Sequence, residues 1–313
     1  FGSAPDIETL VGTAFRQKVR FIGAGTMGVA AVWTLLRIMG PITRGITTAI
    51  AASRARRVGG QESLPITERD IPIGIIVGGI VLALIPIGLL LSGFVQSGPI
   101  GAEPAATLAL SLLYIFVAGA IIAAITGYMA GLIGASNSPV SGVGILTVLG
   151  ISLILAALFG PNLDLTASQS LVAFALFVTA IIFGVATIAN DNLQDLKTGQ
   201  LVGATPWRQQ VALIIGVLFG SIVIPPILTI LNDAFGFQGV PGAGPNALAA
   251  PQAALISAIA QGVLGGNLDW NLIGLGALIG VGVVIVDEVL RASNRGRLPP
   301  LCVRTGMYLA LWV

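Results

Sequence analysis

From Ile71 to Leu91 the sequence runs without one charged side chain, and it does so again from Thr107 to Met129. An α-helix needs about 20 apolar residues to cross the roughly 30 Å of bilayer hydrocarbon, and in that medium it satisfies its own backbone groups. Four further runs qualify: Val143–Phe159, Ser170–Ala189, Val211–Leu231 and Leu272–Val286. Charged residues make up 9% of the 313, against roughly a quarter in soluble domains. These runs predict an all-α membrane protein, a polytopic helical bundle with re-entrant or broken helices. The 42 glycines and 17 prolines fit close helix packing and helix breaks, since both residues are commoner in membrane helices than in soluble ones.

The same composition excludes several functions. There is no histidine and Cys302 is the sole cysteine. An intrachain disulfide, a His/Cys metal site and serine–histidine chemistry are therefore ruled out. No cofactor is expected and no enzyme is predicted. An aspartyl pair of Asp191 or Asp195 with Asp287 lacks the setting of an intramembrane protease. A net charge of +2 gives no footprint for a nucleic acid. The first residues, FGSAPDIETL, carry Asp6 and Glu8 and do not resemble a signal peptide. The last, MYLALWV, stop inside an apolar run. We read 1–313 as a single transmembrane domain, part of a longer protein, with 298–313 the start of a truncated span.

Orientation follows from Lys and Arg. Residues 41–70 form a basic loop with Arg44, Arg54, Arg56, Arg57 and Arg69; 190–209 carry Lys197 and Arg208; 291–304 carry Arg291, Arg295, Arg297 and Arg304. The segments 92–106, 160–169 and 232–250 carry none. The positive-inside rule makes the first set cytoplasmic loops of a multi-pass cell-membrane protein. Two segments break the count. Phe21–Met39 has Arg16, Lys18 and Arg20 before it and the basic loop after it. Both flanks read as cytoplasmic, so this segment is expected to enter and return, or to lie partly along the surface. Pro251–Leu264 is too short to span and is expected to be re-entrant.

Gly23, Gly25 and Gly28 spell G-x-G-x-x-G. No alternation of strand and helix follows, and no acidic residue stands about 20 positions on, so a dinucleotide site is not supported. The glycines serve either close helix contact, as at Gly276/Gly280, or a helix break at a substrate cavity.

Three segments carry candidate chemistry. Gly127–Ile145, GYMAGLIGASNSPVSGVGI, is uncharged although parity puts it at the cytoplasmic side. It suggests an unwound helix buried in protein, with Ser136, Asn137, Ser138 and Ser141 binding a polar solute; a tight turn is the alternative. Ala189–Gln210 holds Asp191 and Asp195, which share a face if the helix continues, and Lys197, which can pair with either. Acids near membrane depth are proton-coupling candidates; a solvated loop is the alternative. Val240–Trp270 holds Gln252, Ser257 and Gln261, placed to face a cavity, and Pro251 as a helix start whose free amides suit a carboxylate. Asn267 and Asp269 lie at its mouth. Asp287 and Glu288 are expected to pair with Arg291 or Arg295. Arg37 either receives a substrate carboxylate or snorkels to the interface.

GLIGASNSPVSGVGI, DNLQDLKTGQLVGATPWRQQ and LPPLCVRTGMYLALWV resemble motifs of the oligopeptide transporter family. That family includes the yellow-stripe-like metal-chelate transporters, and the bacterial branch is the nearest match. Cys302 and Arg304 stand where the family has small residues, and Ala310 where it has proline. The resemblance implies a longer transporter of roughly sixteen helices, of which 1–313 is the later half, set in a bacterial inner membrane. It implies proton-driven uptake of small peptides or peptide-like metal chelates by alternating access, with the first two segments as substrate pathway and coupling site. A passive channel or uniporter for a small polar solute is the alternative. Expected partners are the substrate, protons and the lipid bilayer; the oligomeric state is left open.

Overall fold

A computed structural model describes residues 7–59, 65–96, 104–136, 140–160, 165–238, 244 and 246–293. Among these the helices in order are α1 (Ile7–Ala14), α2 (Arg20–Gly59), α3 (Ile73–Gln96), α4 (Pro104–Ile133), α5 (Val140–Phe159), α6 (Leu165–Val202), α7 (Pro206–Phe235), α8 (Pro251–Leu264) and α9 (Trp270–Ser293). A π-helical turn, Phe15–Val19, joins α1 to α2. The only β pairing among the described residues is an isolated bridge between Phe237 and Leu248. Among the described residues seven helical stretches are long and apolar enough to cross a membrane, and α8 is a shorter apolar helix. Each of the six runs named from sequence falls inside one of the seven.

The chain divides into two units. The first comprises Phe1–Ile38, Pro139–Thr179 and Leu255–Val313; the second comprises Met39–Ser138 and Ala180–Ala254. In the first, α2 and α9 run parallel and close. A side-chain carbon at Gly276 would strike the Ile22 carbonyl, and one at Gly25 the Ile273 carbonyl. One at Gly280 would lie 3.2 Å from the Thr26 backbone. Thr26 Oγ1 donates to the Gly276 carbonyl at 2.9 Å and to the Ile22 carbonyl of its own helix at 3.1 Å. Further along, Ala30 packs with Val284. On another side of α2, Gly142 brings α5 against Ala31 and Met27. Helices in lipid gain little from hydrophobic burial, so close contact and interhelical hydrogen bonds hold them together.

This seam corrects the reading of Phe21–Met39. The segment is one uninterrupted helix that passes through Gly23–Gly28 without a break and continues past Pro41. It neither enters and returns nor unwinds; Gly25 serves close contact with α9, while Gly28 has open space beside it. Because α2 is parallel to α9, its Arg16–Arg20 flank lies level with the start of α9, and Arg37 lies level with Glu288. Counting charges on flanks could not reveal that pairing. The basic loop is corrected too, since residues 41–59 continue α2.

In the second unit, α3 packs on α4, and α4 packs on α6 at Gly127 and Gly131, where Leu193 fills the space a side chain would take. The most apolar stretches of α3 and α7 have no buried residues, so these helices present their sides outward. The Trp207 amide at the start of α7 donates to the Arg69 carbonyl at 3.2 Å.

Replacing Gly276 with Ala is expected to force α2 and α9 apart and to cost about 1–3 kcal/mol. Gly282→Ala, with nothing within 4 Å of the new carbon, is expected to be neutral or slightly stabilising. Thermal unfolding of the two variants in detergent compares them directly.

Candidate functional site

The first two candidate segments meet in the second unit. Helix α4 ends at Ile133 and the chain turns at Gly134, whose φ of 74° is a left-handed conformation that glycine adopts without strain. Ala135 and Ser136 follow as exposed non-helical residues. The break expected here is therefore present, but its described residues are exposed where burial in protein was expected. Asn137 and Ser138 lie outside the described residues, and Ser141 is in the first turn of α5.

Helix α6 supplies the other side. It continues to Val202 with no loop at Ala189, which corrects the expected loop at 190–209. Gly203, at φ 78°, ends it, and Pro206 opens α7. Asp191 and Asp195 thus sit one turn apart on one helix face, both exposed. Asn190 is buried; its Nδ2 donates to Ser136 Oγ at 3.3 Å and to Asp191 Oδ1 at 3.2 Å. Sequence reasoning passed over Asn190, although it stands beside Asp191 at the end of the apolar run. Lys197 packs its stem on Gly134, and its Nζ donates to Gln200 at 3.4 Å rather than pairing with an aspartate.

Asp195 lines a cavity of about 960 Å³ between α6 and α7, together with Gln194, Thr198, Gln209 and Ser221. Gly199 leaves room for the Gln209 amide against α6. Gln209 Nε2 is shielded from solvent with no hydrogen-bond partner among the described residues, so a donor is available in this wall. Gln209 was not singled out from sequence, where it reads as one polar residue after a tryptophan.

Helix α8 begins at Pro251 as expected and buries Leu255, Ile256, Ile259, Ala260 and Leu264. Its polar candidates differ in role. Gln252 Nε2 and Oε1 are both shielded and unpartnered among the described residues. Gln261 Nε2 donates to Ser257 Oγ at 3.1 Å. Ser257, Gln261 and Ser141 belong to the first unit, Ser136 and Gln252 to the second. Asp269 is a helix cap: its Oδ1 accepts from the amides of Asn271 and Leu272 at 3.1 and 3.2 Å. Glu288 corrects another expectation, for its partner is Arg37, at 2.6 Å, on the neighbouring helix. Among the described residues no three His, Cys, Asp or Glu side chains group as a metal site.

A family profile described as OPT oligopeptide transporter protein matches residues 4–313. The chain belongs to the oligopeptide transporter family. It is 42% identical over 312 residues to a Haemophilus influenzae protein named "Putative oligopeptide transporter", covering 95% of this chain and 48% of that protein. It is 32% identical over 85 residues to a rice (Oryza sativa subsp. japonica) protein named "Probable metal-nicotianamine transporter YSL10", covering 26% of this chain and 12% of that one. The chain thus spans about half the length of the bacterial relative. No solved structure matches it. With seven apolar helices of spanning length, the family member is a multi-pass membrane protein.

Asn190→Ala would remove the bonds to Ser136 and Asp191 from a buried position, and a loss of about 1–3 kcal/mol in unfolding experiments is expected. Ser136→Ala removes only one of the two acceptors, and a smaller loss of about 0.5–1.5 kcal/mol is expected.

Proposed function

We propose that the complete protein is a secondary active transporter that imports small peptides or peptide-like metal chelates by alternating access, coupled to protons. The observation that carries this reading is the family match along nearly the whole chain. The names of the bacterial and plant relatives supply the two substrate classes. A peptide or its chelate presents several amides and carboxylates, and it needs neutral hydrogen-bonding groups that do not trap it. Ser136, Asn137, Ser138, Ser141, Gln252, Ser257 and Gln261 are of that kind. The shielded, unpartnered amide of Gln252 is the strongest candidate among them. It sits in the first turn of a half-length helix whose free amides suit a carboxylate. A broken helix and a half-length helix are the elements from which many carriers build a substrate site.

For coupling, Asp195 is favoured by its place in the α6–α7 cavity. Asp191, already accepting a hydrogen bond from Asn190, supports it, and Lys197 sets the local charge. The arginine-rich ends of α2 and α9 and the α6–α7 turn would face the cytoplasm of a bacterial inner membrane. Nothing in this reading requires a cofactor or catalysis.

The test uses the full-length protein in proteoliposomes with labelled peptide and ferric-chelate panels, with and without an inward proton gradient. Gradient-dependent accumulation of one class supports the carrier and names its substrate. Equilibration without accumulation would instead support a uniporter or channel. Asp195→Asn is expected to abolish gradient-driven accumulation while leaving equilibrium binding unchanged; unaltered accumulation would remove the coupling role.

A further inference from the structure

The first unit holds a second cavity, of about 720 Å³, framed by α2, α5, α8 and α9. Its walls include Gly28, Val32, Trp33, Leu149, Ile273 and Val281, and Glu288 is its single charged lining residue. A volume of this size falls within the roughly 300–1,000 Å³ range of ligand sites. Its chemistry rules out a peptide as occupant. Peptide amides moved into an apolar wall lose their hydrogen bonds to water and find none in exchange, at a cost of several kcal/mol. Hydrocarbon loses nothing there. The edges point the same way: Val32 and Leu36 on α2, and Val281, Ile285 and Val289 on α9, are exposed. The cavity is therefore bordered by apolar surface of the kind that faces lipid.

Its rim has a different character. Arg37 Nη1 donates to Glu288 Oε1 at 2.6 Å, with the two side chains 47% and 38% exposed. This ion pair joins neighbouring stretches of two parallel helices. Trp33 lies one helical turn below Arg37 and is part of the cavity wall. Indole rings favour the headgroup level of a bilayer. From floor to rim the order is hydrocarbon wall, indole, then paired charges, which is the order of layers in one leaflet.

We propose that this groove binds one aminophospholipid, with an acyl chain in the cavity, the phosphate on Arg37 and the primary ammonium on Glu288. The guanidinium fork matches two phosphate oxygens, and the carboxylate accepts from an N–H donor. Phosphatidylethanolamine meets both demands. Phosphatidylcholine offers Glu288 no N–H, and phosphatidylglycerol offers it no cation. The existing pair keeps both charges partnered when the groove is empty.

The test is native mass spectrometry of the full-length protein equilibrated with equal amounts of the three lipids, matched in acyl chain. A threefold to fivefold preference for phosphatidylethanolamine is expected, the roughly 1 kcal/mol scale of a partly exposed charge pair. Glu288→Gln should erase the preference, and Arg37→Gln should weaken retention of all three. Gly28→Leu extends into the cavity from a position with nothing within 4 Å of its new carbon, and it should lower retention while the headgroup pair stays intact. Equal retention of the three lipids by the parent protein would overturn the proposal. So would a preference that survives Glu288→Gln, or retention unchanged in Gly28→Leu. These readouts do not involve uptake, so they stand apart from the transport reading.

Discussion

The seam between α2 and α9 organises the first unit because lipid removes the force that normally drives helices together. Leucine gains nothing by leaving a hydrocarbon solvent for a protein one. What remains is dispersion at short range and the hydrogen bond. Gly25, Gly276 and Gly280 let the two backbones approach until main-chain atoms touch, and Thr26 spans the gap to the Gly276 carbonyl. Only a surface without side chains permits that distance. The parallel direction of the pair then brings Arg37 to Glu288.

In the second unit glycine has the same role with a different partner. Gly127 and Gly131 on α4 accept Leu193 of α6 into the space they leave, and Gly134 accepts the stem of Lys197. That contact aligns the end of α4 with the last turns of α6, so Ser136 reaches Asn190. Two stretches that resembled one family in sequence are therefore neighbours in space. The packing at Gly127, Gly131 and Gly134 aligns them, and the polar contact rides on it.

Much of this was legible in the sequence, and the failures have physical causes. Hydropathy found the spans because a bilayer sets one length for all of them. Pro251 marked the start of α8, since proline at a first turn costs no hydrogen bond. The break after Ile133 was visible in the glycines and serines around it. Charge counting failed at Phe21–Met39 because it weighs flanks and cannot see which helix a segment pairs with. After Ala189 the polar composition resembles a loop, although Asn190–Val202 propagate the helix. Glu288 was assigned a local partner because sequence distance hides one 251 residues away. Gln209 and Asn190 carried no signal of their own; only the cavity and the buried contact give them meaning.

The separation in sequence of the α2–α9 seam has a consequence for biogenesis. Thr26 and Gly276 are 250 residues apart. At about 5–20 residues per second of synthesis, the interval is roughly 10–50 seconds. Through that time α9 is not yet there to meet the glycine face of α2. Its Thr26 hydroxyl is not stranded, because the Ile22 carbonyl one turn back already accepts from it at 3.1 Å. The residue that clamps the finished seam thus carries its own temporary acceptor. An early helix can wait in hydrocarbon for a late one without an orphaned donor inviting the wrong neighbour.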